Sequence, residues 1–172
     1  MIGNRFGNRS AGYTLIELVV VVAMISLLFF MTLPRFESRL IQDDRRKVIR
    51  WIMLRVQGLK QEALRSRSTR VLHLDLDAGR IWVSQEGMDE EALDAARESG
   101  YEMPEDVSLA AVALPDGDRR VSGTVDLRFY PGGYSDRAII QLRDEDHDPI
   151  SLRIETFLTK VKLYHEAVDF EG

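Results

Sequence analysis

The sequence contains no cysteine. Structural disulfides, thiol catalysis and thiolate metal sites are therefore excluded, and a secreted domain made from this chain must be held by its core and its partners. Histidine is scarce too: His73, His147 and His165 are the only three, too few and too scattered for a zinc centre. Basic charge is in deficit. Lys and Arg number 23 against 28 Asp and Glu, a formal net charge of −5. A surface of that sign repels phosphate backbones, which argues against nucleic-acid binding. No proline falls between residues 35 and 67, where only Gly58 weakens helix propensity. No nucleophile, base and orienting group stand at a recognisable spacing, so neither an enzyme activity nor a cofactor is expected.

What is present is concentrated at the start of the chain. The 172 residues suffice for one compact domain and an additional element. Residues 1–12, MIGNRFGNRSAG, are polar and carry Arg5 and Arg9 but no acid. From Tyr13 to Leu33 the chain reads YTLIELVVVVAMISLLFFMTL and then meets Pro34. As a helix this run is about 31 Å long, one hydrocarbon thickness. Arg5 and Arg9 precede it, so its amino end is expected in the cytoplasm and the bulk of the chain across the membrane. A cleaved signal peptide needs small residues at the carboxyl end of its apolar run. This run closes on Phe29-Phe30-Met31-Thr32-Leu33-Pro34, and the small pair Ala11-Gly12 lies before it. A plain anchor leaves Glu17 unexplained, because a carboxylate at a bilayer centre costs on the order of 3 kcal/mol. Glu17 lies nearer the cytoplasmic end, where the cost is smaller but still calls for a partner.

The hexapeptide Gly12-Tyr13-Thr14-Leu15-Ile16-Glu17 closely resembles the prepilin peptidase motif of type IV pilins and type II secretion pseudopilins. In that family the cut follows the glycine, the new terminus is usually phenylalanine, and the fifth mature residue is glutamate. Tyr13 departs from the usual phenylalanine but keeps an aromatic ring, and Pro34 sits where these proteins commonly carry a helix-kinking proline. The resemblance implies prepilin peptidase cleavage between Gly12 and Tyr13, N-methylation of Tyr13, and a role for Glu17 in assembly register. Cleavage creates an amino group, with a pKa of about 7.7–8.0, at the lipid interface. That cation and the Glu17 carboxylate each lack a partner in an isolated subunit. Staggered packing of two such helices brings one subunit's Glu17 to another's amino terminus, where an ion pair in low dielectric satisfies both charges and sets axial register.

Beyond Pro34 the pattern becomes amphipathic. Ile41, Val48, Ile49, Ile52, Met53, Val56, Ala63 and Leu64 follow spacings of three, four and seven, while Arg45, Arg46, Lys47, Arg50 and Arg55 fill much of the remainder. One continuous helix is expected from about residue 13 to 67, bent at Pro34. The basic cluster reads as its solvated face, with some contacts to acidic neighbours. From Val71 the period becomes two. Leu72, Leu74 and Leu76 alternate with His73 and Asp75, and Asp77-Ala78-Gly79 turns the chain into Arg80-Ile81-Trp82-Val83, a hairpin. Residues 84–106 read as a surface excursion with a helical patch near Glu90–Glu98. Val107–Leu114, Val125–Tyr130, Arg137–Leu142, Ile150–Ile154 and Val161–Tyr164 complete an antiparallel set joined by turn-rich connections. The expected fold is α+β, a long amino-terminal helical spine packed against an antiparallel β-sheet head. Residues 1–12 form the leader, 13–34 the transmembrane and filament-core helix, 35–67 the amphipathic helix, and 68–172 the periplasmic head.

The segment Arg65-Ser66-Arg67-Ser68 that closes the helix, the hairpin that follows at once, and Phe129-Tyr130-Pro131-Gly132-Gly133 before a late strand resemble the GspH/FimT group, which contains minor pseudopilin H of type II secretion. That resemblance implies a structural subunit near the tip of a short pseudopilus, single-pass in the inner membrane with its head in the periplasm. Its implied partners are other major and minor pseudopilins, the prepilin peptidase and the inner-membrane secretion platform. The alternative is a minor pilin of a type IV pilus, serving adhesion, motility or DNA uptake. The acidic head disfavours DNA, and the lack of cysteine leans toward the pseudopilus. The acidic turn Asp144-Glu145-Asp146-His147-Asp148 offers hard oxygen ligands without the spacing of an EF-hand, so a solvated turn is expected there and not a calcium site. If the amino-terminal motif is processed, mass spectrometry of membrane-extracted protein finds a chain that begins at Tyr13 and carries one added methyl. A bulky residue in place of Gly12 blocks the cut, and an intact, working chain that still begins at Met1 contradicts the assignment.

Overall fold

A computed structural model of the chain describes residues 14–32, 34–144 and 149–170. It forms two compact units that divide between Arg39 and Leu40.

In the first unit, α1 (Leu15–Thr32) begins at a cap. Thr14 Oγ1 accepts the Glu17 backbone N–H at 3.3 Å, and the Thr14 carbonyl accepts the Leu18 N–H at 3.2 Å. The threonine thus satisfies a donor that the first helical turn leaves open. Glu17 lies in that turn, where the helix dipole favours a carboxylate. Every side chain from Leu15 to Phe29 is exposed. The apolar residues surround the helix and do not form a single stripe, the pattern of a helix that is covered on all sides where it works. With 18 residues α1 is about 27 Å long. Among the described residues no helix is long and apolar enough to cross a membrane.

The next helix, α2 (Pro34–Ser66), opens on its proline. The described residues on both sides of Leu33 are helical. Leu33 between them lies outside the described residues, and with it the bend assigned to Pro34. In the second unit α2 buries Val48, Ile52, Val56, Leu59 and Ala63. Steps of three and four residues put them on one stripe. Two expected members fall elsewhere: Leu64 is exposed and Met53 only half-buried. Leu59 and Lys60 take the inward positions of that part of the helix. After Ser66, Arg67 turns the chain with φ of 51°, a left-handed conformation that ends helices.

The head holds two antiparallel sheets where a single set of strands was expected. In the first, β1 (Arg70–Asp75) and β2 (Arg80–Gln85) form the hairpin read from the alternation. The two-residue β3 (Tyr101–Glu102) extends β2, and β6 (Thr124–Phe129) flanks β1, giving the order β3-β2-β1-β6. The second contains β4 (Val107–Ala113), β5 (Arg119–Arg120), β7 (Ala138–Asp144), β8 (Ile150–Ile154) and β9 (Lys162–Tyr164) in the order β5-β4-β7-β8-β9. The helical patch of the excursion is α3 (Glu90–Glu98), capped by Asp89, whose carboxylate accepts the Ala92 N–H at 2.8 Å.

One core joins the α2 stripe to Leu72, Leu74, Ile81, Leu127 and Phe129 of the first sheet and to Val112, Ile140, Leu142, Leu152 and Ile154 of the second. Strand β6 alternates buried and exposed residues, the pattern of a sheet with one wet face. Strand β7 is buried at every position except Arg143. The chain's last segment reaches these strands: Gln141 Nε2 donates to the Val168 carbonyl at 2.8 Å, and Ser151 Oγ donates to the Glu166 carbonyl at 2.7 Å. Both buried polar side chains are thereby satisfied. A fragment beginning at Leu40 retains this whole core and is expected to stay soluble with a single cooperative melt. Within it Phe129→Ala, which truncates the largest fully buried side chain, should lower stability by about 3–5 kcal/mol in chemical denaturation.

Candidate assembly site

Glu17 is the one charged residue of α1. The Thr14 cap holds its backbone, its side chain is exposed, and nothing among the described residues pairs with it. Thr14-Leu15-Ile16-Glu17 also has the Thr-x-x-Glu spacing of a capping box, so a helix start was written in the same residues as the peptidase motif. Gly12 and Tyr13, the expected cleavage and methylation residues, lie outside the described residues. A carboxylate in the first turn of an apolar-surfaced helix can serve as the anchor for a cation carried by another helix.

The head's buried charges are internal braces. Lys60 lies on the inner side of α2, one turn after Val56, and its ammonium donates to the carbonyls of Glu155 and Leu158, each at 2.7 Å. Burial lowers its pKa, with the Glu155 carboxylate pulling the other way. This clamp ties the loop after β8 to α2 and presents Phe157, which is 81% exposed. Asp144, expected in a solvated turn, is instead the last residue of β7, and its side chain is 0% exposed with Arg45 Nη1 3.2 Å from Oδ2. Its carboxylate braces α2 against the second sheet and is not offered to a metal. Glu145, Asp146, His147 and Asp148 lie outside the described residues, and among the described ones no group of three or more candidate ligands gathers.

His73 projects from the side of the first sheet opposite the core. Its Nδ1 is 2.7 Å from Asp126 Oδ1, its Nε2 is 2.7 Å from Ser84 Oγ, and its ring stacks on Trp82. Those are the contacts of an orienting acid, a base and a nucleophile, and strand pairing creates them where sequence spacing hid them. Ser84, however, is 4% exposed. A nucleophile must reach its substrate, so these bonds satisfy a buried hydroxyl. At the turn after β6, Gly133 has φ of 81° and donates its N–H to the Tyr130 carbonyl at 3.0 Å. The Tyr130 and Tyr134 rings stack at 4.7 Å, and a Cβ on Gly132 would come 2.8 Å from the Tyr134 ring. Burial first, then the Asp136 carboxylate that accepts its hydroxyl at 3.1 Å, raises the Tyr130 pKa.

The family described as the prokaryotic N-terminal methylation motif matches residues 7–33, the stretch that contains Gly12, Tyr13 and Glu17. Two solved structures share the fold of most of the chain. The crystal structure of the minor pseudopilin EPSH from the type II secretion system of Vibrio cholerae has a TM-score of 0.55 at 13% identity, covering 74% of this chain and 97% of that one. The chain has a minor-pseudopilin fold behind a pilin-type methylation motif. A second structure of the Vibrio cholerae minor pseudopilin EpsH gives a TM-score of 0.53 at 12% identity, covering 73% of this chain and 99% of that one. No curated protein matches the chain in sequence. What this pseudopilin-like chain shares with those structures is the arrangement of elements, while most side chains differ.

Lys60→Met keeps the aliphatic stem but leaves the Glu155 and Leu158 carbonyls without their donor. The expected loss in chemical denaturation at neutral pH is about 1–3 kcal/mol. Because burial lowers the Lys60 pKa below its ordinary 10.5, the unfolded chain holds that proton more tightly than the folded one. The native protein should therefore gain stability relative to Lys60→Met as the pH rises toward that value. A stability difference that stays flat over that approach contradicts the burial of a charged Lys60.

Proposed function

We propose that this protein is a minor pseudopilin of a type II secretion system, a structural subunit in the tip region of a pseudopilus that supports export of folded proteins across the outer membrane. The reading rests on one conjunction: a prokaryotic N-terminal methylation motif at residues 7–33 stands in the same chain as a head with a minor-pseudopilin fold. In this reading prepilin peptidase removes residues 1–12 after Gly12, and the Tyr13 amino group is methylated. Residues 13–34 span the inner membrane once, Pro34 bends the helix, and residues 68–172 sit in the periplasm. Tyr13 to Leu33 would reach about 31 Å as a helix, the hydrocarbon thickness that α1 alone falls short of. The partners are other major and minor pseudopilins and the inner-membrane secretion platform, and the role is structural, without catalysis.

The physical sequence of events follows from α1. A helix apolar on all sides is as well covered by lipid as by other helices, so moving from membrane to filament changes little in its apolar burial. What changes is Glu17. In lipid its carboxylate has no cation, whereas in the filament a neighbour's amino terminus at Tyr13 supplies one. That difference favours assembly and selects one axial stagger. Glu17→Ala and Glu17→Gln should insert and be cleaved normally, yet crosslink to neighbouring pseudopilins about tenfold less, with secretion of a reporter exoprotein falling in step. Glu17→Asp should be intermediate, since it keeps the charge and shortens the reach. Normal crosslinking and secretion by Glu17→Ala would remove the register role. Loss of twitching in place of secretion, on deleting the chain, would assign it to a type IV pilus.

A further inference from the structure

The head carries a surface that the proposed packing of α1 leaves unused. Strand β9 is the last of the second sheet, and between it and α2 runs an open groove of about 690 Å³. Its floor is apolar, made by Ile49, Met53, Leu54, Ile150 and Leu163, and Leu54 is 62% exposed. Arg46 and Arg50 line the same groove one helical turn apart. Both are exposed, and neither makes an ion pair among the described residues. Elsewhere on the surface Arg97 stands by Asp75 and Arg120 by Asp118. Two unpaired guanidiniums over an apolar floor ask for an occupant with carboxylates on one part of its surface and hydrocarbon on the next.

We propose that the groove receives an acidic amphipathic helix of a neighbouring pilin-like subunit, with carboxylates one turn apart on Arg46 and Arg50 and apolar side chains against Leu54. The inference rests on the assembly reading above and adds a contact in the head to it. The spacing favours a helix: residues one turn apart on α2 match residues one turn apart on another helix lying alongside. Guanidinium pairs with carboxylate in a fixed, forked geometry, which gives the contact direction as well as attraction. An anionic lipid headgroup would meet the arginines but has no counterpart to the one-turn spacing. Groove and occupant are different surfaces, so the contact does not close on itself, as a growing filament requires.

A photo-crosslinking side chain at Leu54 of the full-length chain, in cells that assemble the filament, tests this. The captured peptide, sequenced by mass spectrometry, should be a helical segment of a pilin-like subunit with carboxylates three or four residues apart. Arg46→Glu combined with Arg50→Glu should cut capture about tenfold or more, while the paired change to lysine keeps most of it. Melting of the charge-reversed variant should match the native protein, because both arginines are exposed and unpaired. Capture of phospholipid, of a peptide without such carboxylates, or of the same peptide at the same yield after charge reversal overturns the proposal. A second probe at Leu18 separates the two levels. Subunits captured from Leu18 but none from Leu54 would remove the groove contact alone, and none captured from either would remove the assembly reading with it.

Discussion

Burying Val48, Ile52, Val56, Leu59 and Ala63 along one side of α2 demands apolar surface opposite them, and two sheets supply it. The rest of the head follows from that stripe. Strands such as β6 keep one face for the core and the other for water, which is what antiparallel sheets permit and hydrophobic burial drives. Side chains brought inward with a charge must then be satisfied on site. Lys60 is held by the carbonyls of the loop after β8, and Asp144 is held by Arg45. Both are fastenings between α2 and the second sheet, and each exists because burial without a partner would cost more than it contributes.

The helix before it obeys a different rule. Apolar side chains surround α1, and those from Leu15 to Phe29 are all exposed, so its stable setting has to come from outside the subunit. A chain with one amphipathic helix and one helix apolar on all sides divides its labour accordingly. The first organises a folded head, and the second is available for lipid or for other helices. Within that apolar surface Glu17 is the one charged side chain of α1, and a threonine cap fixes where its backbone starts. The groove beside α2 adds a second polarity to the same scheme, with arginines above hydrocarbon on the outer side of the helix that organises the head.

Much of the head was legible because its signals are local. Alternation marked β1, the Asp77-Ala78-Gly79 turn marked the hairpin, and the acidic stretch before Glu98 marked α3. Strands β3 and β5 were not legible, since two residues cannot display a period. Nor was the division into two sheets, because alternation says that one face of a strand is buried without saying against what. The Thr14 cap was written in the sequence as Thr-x-x-Glu and was masked by the peptidase motif that shares its residues. Leu64 was misplaced and Lys60 overlooked for one reason: a lysine among apolar residues reads as an interruption of the stripe, although its aliphatic stem can lie inside while its ammonium finds carbonyls.

The sequence alone determined the pilin-type start of the chain, the amphipathic character of α2 and the strand-rich head, since each rests on neighbours within a few residues, where steric preference and periodicity act. Tertiary structure alone decided which strands share a sheet, that Asp144 is a buried partner of Arg45, that Ser84, His73 and Asp126 meet, and that Arg46 and Arg50 overlook an apolar groove. Those relations join residues far apart along the chain. Distance in sequence carries no information about distance in space until the core has closed and chosen which surfaces face each other.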